Sequence, residues 1–123
     1  MSQQDASKVC ATCGRRFYYH ARWGDNWPQV KHCSKRCASQ KPGKPEAELE
    51  ALLLERVEQL KTGTTLCPSE VARAFAPDTW RQWMEPTRQA ARRLAGAGKL
   101  CIKQKGKTID PHEFRGPIRL GKH

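Results

Sequence analysis

The chain has 123 residues, 37% of them hydrophobic and 28% charged, with a formal net charge of +11 and a pI near 9.8. That is room for one ordinary domain or two very small ones, and no apolar run approaches the roughly 20 residues that a bilayer span needs. The opening Met1-Ser2-Gln3-Gln4-Asp5 has neither the basic start nor the apolar stretch of a secretory signal, so the expectation is a cytoplasmic protein with no membrane role.

Residues 1–7 read as a disordered lead. From 8 to 38 the sequence is organised by cysteines: Cys10-Ala11-Thr12-Cys13, then nineteen residues, then Cys33-Ser34-Lys35-Arg36-Cys37. Two close thiol pairs joined by a short loop suit one tetrahedral zinc ion, with Cys10, Cys13, Cys33 and Cys37 as ligands. Gly14 follows the first pair, where a metal-binding knuckle calls for positive φ. The segment holds few large aliphatics beyond Val9 and Val30, so it needs a staple in order to fold. In a reducing compartment, paired thiols favour metal over disulfide. The alternative, a redox dithiol, normally uses one pair beside a βαβ pattern, and here there are two pairs. A four-thiolate site leaves no open coordination position, so the metal is expected to be structural.

Between the pairs, Phe17, Tyr18, Tyr19, Trp23 and Trp27 interleave with Arg15, Arg16, Arg22 and His20. Phe17, Trp23 and Trp27 are read as a small core around the metal, with Tyr18 or Tyr19 outside. The arginines form a candidate phosphate-contacting patch. His20 and His32 are left out of the ligand set, because a histidine adjacent to Cys33 converges poorly on the same ion.

Residues 39–45, Ser-Gln-Lys-Pro-Gly-Lys-Pro, read as a short stiff linker. Residues 46–123 form the second domain. From Glu46 to Thr62 the residues Leu49, Leu52, Leu53, Val57 and Leu60 make one helical stripe, with glutamates at the start and Gly63 as a stop. Thr64–Cys67 is a predicted short strand. Pro68-Ser69-Glu70 opens a short helix, and Ala76-Pro77-Asp78 breaks it before a turn containing Trp80, Trp83 and Met84. The next helix is predicted from Thr87 to Ala97, with Ala90, Ala91 and Leu94 inward and Arg88, Gln89, Arg92 and Arg93 outward. Lys99–Gln104 alternates like a strand, Lys105-Gly106-Lys107 is a tight turn, and Thr108–Asp110 pairs back. Ile118 and Leu120 are expected to dock on that sheet.

Helix, strand, helix, turn, helix, strand, basic turn, strand is the order of a winged helix-turn-helix. That fold sends its last helix into a major groove and its hairpin to a neighbouring groove or phosphate row. The fold class expected is therefore a small zinc finger, of treble-clef or zinc-ribbon type, followed by an α+β winged-helix domain. Charge is uneven: residues 1–45 carry nine Lys/Arg against two acids, residues 98–123 seven against two, and residues 46–63 two against five. Two basic ends around an acidic helix point to a polyanionic partner. Arg88, Gln89, Arg92 and Arg93, with Lys103, Lys105 and Lys107 of the hairpin, are the main candidate contacts, and Arg15, Arg16 and Arg22 the secondary ones. Nucleic acid, DNA before RNA, is the expected partner. An adaptor that docks an acidic protein is the rival. No carboxylate pair, triad or phosphate-cradling glycine loop is present, so no enzyme is expected. Cys67 and Cys101 read as small buried hydrophobes, and His112 and Glu113 as loop.

The N-terminal Val9-Cys10-Ala11-Thr12-Cys13-Gly14 and Cys33–Cys37 stretches resemble the bacterial, zinc-finger-like domain of unknown function family 2256. Its pattern is more basic just before the first tryptophan, where this chain has His20-Ala21. The ending around Cys33-Ser34 and Cys37 is also similar to small treble-clef fingers. Cys67–Arg73, Trp80-Arg81, Ala90-Ala91, Gln104-Lys105-Gly106 and Arg115–Arg119 resemble domain of unknown function family 3253. Together these resemblances cover nearly the whole chain. They imply a bacterial two-domain protein and no particular activity.

Overall fold

The computed structural model describes residues 7–40 and 42–123. Of the expected lead, residues 1–6 lie outside the described residues. Ser7 does not belong to it, because it begins strand β1 (Ser7–Val9), which pairs antiparallel with β2 (Arg16–Tyr18), Lys8 opposite Phe17. A 3-10 segment, Gly24–Gln29, and helix α1, Lys35–Ser39, complete this unit. Its core is Cys10, Cys13, Phe17, Trp27 and Cys37, with Tyr19, Trp23 and Val30 packed around them. Phe17 meets Trp23 and Trp27 edge-on at 5.6 Å between ring centroids, the geometry in which a ring's positive edge faces a negative face. The aromatic mini-core is thus as expected, and Tyr18, 57% exposed, is the tyrosine outside it.

The second unit contains α2 (Lys44–Glu58), α3 (Pro68–Phe75), α4 (Met84–Gly96), β3 (Cys101–Gln104), β4 (Lys107–Thr108) and β5 (Arg119–Gly121). The strands form one antiparallel sheet in the order β4-β3-β5, so this unit is α+β. Leu49, Leu53 and Val57 put the buried stripe of α2 against Val71, Ala90, Ala91, Leu94, Leu100, Ile102, Ile118 and Leu120. Glutamates hold two helix starts: Glu46 accepts from the Gly43 N–H at 3.2 Å, and Glu70 from the Cys67 N–H at 2.6 Å. The β3–β4 hairpin turns through Lys105 and Gly106, with φ of 52° and 80°. Positive φ at both central residues is the tight turn whose twist matches that of the strands.

Several boundaries differ from the sequence reading. Ser39 ends α1 and Lys44 begins α2, so the linker is shorter than residues 39–45, and its Lys41 lies outside the described residues. Helix α2 stops at Glu58 rather than Thr62, although Leu60 still packs on the core. The expected strand at Thr64–Cys67 is a single bridge from Leu66 to Leu120, on the edge of β5 opposite β3. Helix α4 starts at Met84, before Pro86, whose missing N–H costs nothing in a first turn. Among the described residues no helix is long and apolar enough to cross a membrane.

Candidate metal centre and basic surface

The β1–β2 hairpin carries the first thiol pair in its turn. The Gly14 N–H donates to the Cys10 carbonyl at 3.0 Å, and the Cys10 N–H to that of Arg15 at 2.9 Å. That closes a knuckle, with Gly14 at φ +77°. The second pair stands at the entry to α1. Ser34 caps this helix, its Oγ accepting from the Cys37 N–H at 3.2 Å, which turns Cys37 back toward Cys33. The Ala11 N–H to Lys31 carbonyl bond (2.9 Å) and the Thr12 hydroxyl to Cys37 carbonyl bond (2.8 Å) lock the halves together.

The four sulfurs lie within 4.8 Å of one another. Cys33 Sγ is 3.6 Å from Cys37 Sγ and 3.8 Å from Cys13 Sγ. A disulfide needs about 2.05 Å, so these are separate thiols. Four sulfurs at about 2.3 Å from a tetrahedral centre sit roughly 3.8 Å apart, which is close to the spacing found. Cys10, Cys13, Cys33 and Cys37 could therefore hold a metal ion, as expected, and His20 and His32 stand outside the cluster.

The thiols are not equivalent. Burial pushes the Cys10 thiol up, but N–H donors of Cys13, Cys33 and Thr12 outweigh it and bring it down to about 7. Burial and the adjacent Cys10 sulfur push Cys13 up to about 11, against the Arg15 N–H. Burial and then the Cys37 sulfur push Cys33 up further. One thiolate forms readily and then opposes the next, the condition that a bound cation relieves.

The knuckle is not free in solvent. A Cβ on Gly14 would lie 2.4 Å from the Cβ of Arg92, so the first thiol pair rests directly on α4. Arg92 Nη1 donates to the Cys13 carbonyl at 3.0 Å, and Arg93 Nη1 to that of Thr12. His112 Nδ1 is 2.8 Å from the Gly14 carbonyl, and the Arg16 N–H donates to the His112 carbonyl at 3.1 Å. The Tyr18 hydroxyl donates to Glu113, and Arg16 lies 3.4 Å from the same carboxylate.

This overturns the expected outward face of α4. Arg92 is 1% exposed, with burial pulling its pKa down and Glu85 opposing that. Arg93 pairs with Glu50 of α2, Nε to Oε1 at 2.8 Å. Arg93 Nη2 comes within 2.7 Å of the same oxygen, but off the hydrogen-bonding direction. Neither arginine faces solvent as a nucleic-acid contact must. Arg88, 3.6 Å from Glu85, and Gln89 remain half-exposed. Of the secondary patch, Arg15 and Arg22 are exposed, whereas Arg16 is half-buried between Asp110 and Glu113. Cys67 and Cys101 are half-buried rather than buried.

Lys103, Lys105 and Lys107 line a groove of about 700 Å³ on the sheet, together with Arg115 and Arg119. Ile109, Pro117 and Ile118 supply its apolar lining, and among the described residues no carboxylate lines it. Gln104 Nε2 holds the far wall, donating to the Arg115 and Pro117 carbonyls at 2.6 and 3.1 Å. The sequence reading missed Arg115 and Arg119. Register could have supplied Arg119: once Leu120 docks opposite Ile102, the adjacent Arg119 must stand opposite Lys103 on the other face.

Residues 46–123 match the family described as protein of unknown function DUF3253, which is more than half of the chain. The chain belongs to that family. Residues 2–40 match a second family, described as uncharacterized protein conserved in bacteria, DUF2256. The two families meet in the order that the sequence reading gave. No curated protein matches the chain.

Proposed function

We propose that this is a non-enzymatic, zinc-stabilised nucleic-acid-binding protein of the cytoplasm. In this reading the first unit is a finger of treble-clef type, the second is a winged helix, and the ion is structural zinc. The observation that carries it is the groove beside the β3–β4 hairpin, where Lys103, Lys105, Lys107, Arg115 and Arg119 meet with no carboxylate among them. A row of cations on an apolar floor fits a phosphate backbone. The finger adds Arg22, Lys31 and Lys35 around Trp23. The major-groove mode expected for α4 is set aside, because the knuckle covers Arg92.

The test is binding of the zinc-loaded chain to labelled duplex and single strand across salt. Contact by these cations predicts a steep slope, about −4.5 in log K against log salt for five phosphates on duplex. Lys105→Gln with Lys107→Gln should flatten it by roughly 2. Flat or absent binding at low salt would sink the reading. The rival is an adaptor in which the same hairpin cations dock an acidic protein. Absent binding together with capture of an acidic protein would select it.

A further inference from the structure

Arg92 is buried with little to balance its charge. Its carboxylate neighbour, Glu85, stands 3.3 Å away with a side chain 53% exposed. Its Nε has no hydrogen-bond partner, and the ring of Phe114 lies 5.2 Å from the guanidinium. A buried guanidinium so weakly paired is costly unless another negative charge is near. The knuckle provides one. Four thiolates around a divalent ion leave a net charge of −2, and Cys13, whose carbonyl Arg92 grips, is one of them. Arg93 grips the adjacent Thr12 carbonyl from the same helix.

We infer that Arg92 and Arg93 of α4 belong to the metal centre: both are positioning residues that hold the knuckle, and Arg92 supplies counter-charge to the tetrathiolate. The metal site is then built from both units, and metal uptake and docking of the finger on α4 are one linked equilibrium. Linkage is reciprocal: whatever docking adds to metal affinity, metal adds to docking. Loss of the ion frees the knuckle, and with it the arginine face of α4. The inference rests on the zinc reading of the cysteine cluster but needs no nucleic acid, so it can fail separately from the groove.

The experiment is zinc affinity of the full chain by chelator competition, with far-UV circular dichroism to confirm folding. Outer partners of metal ligands typically change affinity about 10–100-fold. Arg93→Met is expected to weaken zinc about tenfold and Arg92→Met by up to about 100-fold. Arg92→Lys, which keeps the charge, should recover most of the loss. Wild-type affinity in Arg93→Met overturns the inference, even if Arg92→Met fails to fold. Equal losses in Arg92→Met and Arg92→Lys overturn the counter-charge role. A second measurement needs no variant: chelating zinc from the wild type should speed hydrogen exchange of the Arg16 amide, which donates to the His112 carbonyl across the seam. Unchanged exchange there contradicts the linkage. A wild-type chain that takes up no zinc overturns the inference and the zinc reading together, leaving the groove's salt test untouched.

Discussion

The two units bury different chemistry. The second unit folds around leucines, isoleucines and alanines from three helices and a sheet. The first buries three of its four clustered cysteines with Phe17 and Trp27, and little aliphatic surface. One unit is held by the hydrophobic effect, which needs no ligand. In the proposed reading the other depends on a metal to draw together thiols that repel as they ionise. The difference explains the seam. A unit too small to bury its own knuckle lays it on a neighbour, and the neighbour gives up the arginines of one helix to receive it.

Cys13→Ser should break this contrast most sharply. In zinc peptides the ion contributes roughly 10–16 kcal/mol near neutral pH, so the finger should unfold while α2, α3 and the sheet stay folded. Two-dimensional NMR would show amide dispersion lost for residues 8–38 only. Leu53→Ala probes the other side. Its side chain is fully buried, and the change should cost about 2–5 kcal/mol in denaturant melts while zinc still binds. Gly14→Ala addresses the seam. The methyl group would meet the Arg92 Cβ at 2.4 Å at a φ of +77°, and left-handed backbone alone costs about 1–2 kcal/mol. Zinc affinity and thermal stability should fall together.

Acid should act on the finger first. Metal binding needs thiolates, and burial raises Cys13 to about 11, so uptake near neutrality must release its proton. Affinity should rise with pH, and proton release should register in weakly buffered indicator dye. The smallest effect is at the hairpin. Lys105→Asn suits a left-handed turn better, and should raise stability by about 0.5 kcal/mol while weakening nucleic-acid binding.

Periodicity and spacing made most elements legible. The stripe Leu49, Leu53, Val57, the cysteine spacing, the aromatic loop and the alternation at Ile102 were each readable because local chemistry dictates them. The seam was not. Arg92 follows Arg88 at helical spacing and reads as solvated, and only the approach of a distant glycine buries it. Gly14 was legible as a turn, but not as a contact: positive φ is a local demand, whereas the missing Cβ serves a partner more than seventy residues away. Glu85 and Glu50 likewise gain meaning only once α4 is placed.

The account turns on a finger held by metal and seated on α4. Hydrogen exchange of the full chain, with zinc and after chelation, tests this most directly. The account predicts that chelation strips protection from residues 8–38, including the Arg16 amide that donates to His112 across the seam, while Leu49, Leu53 and Ile102 keep theirs. Protection unchanged throughout, or lost from the whole chain at once, would contradict it.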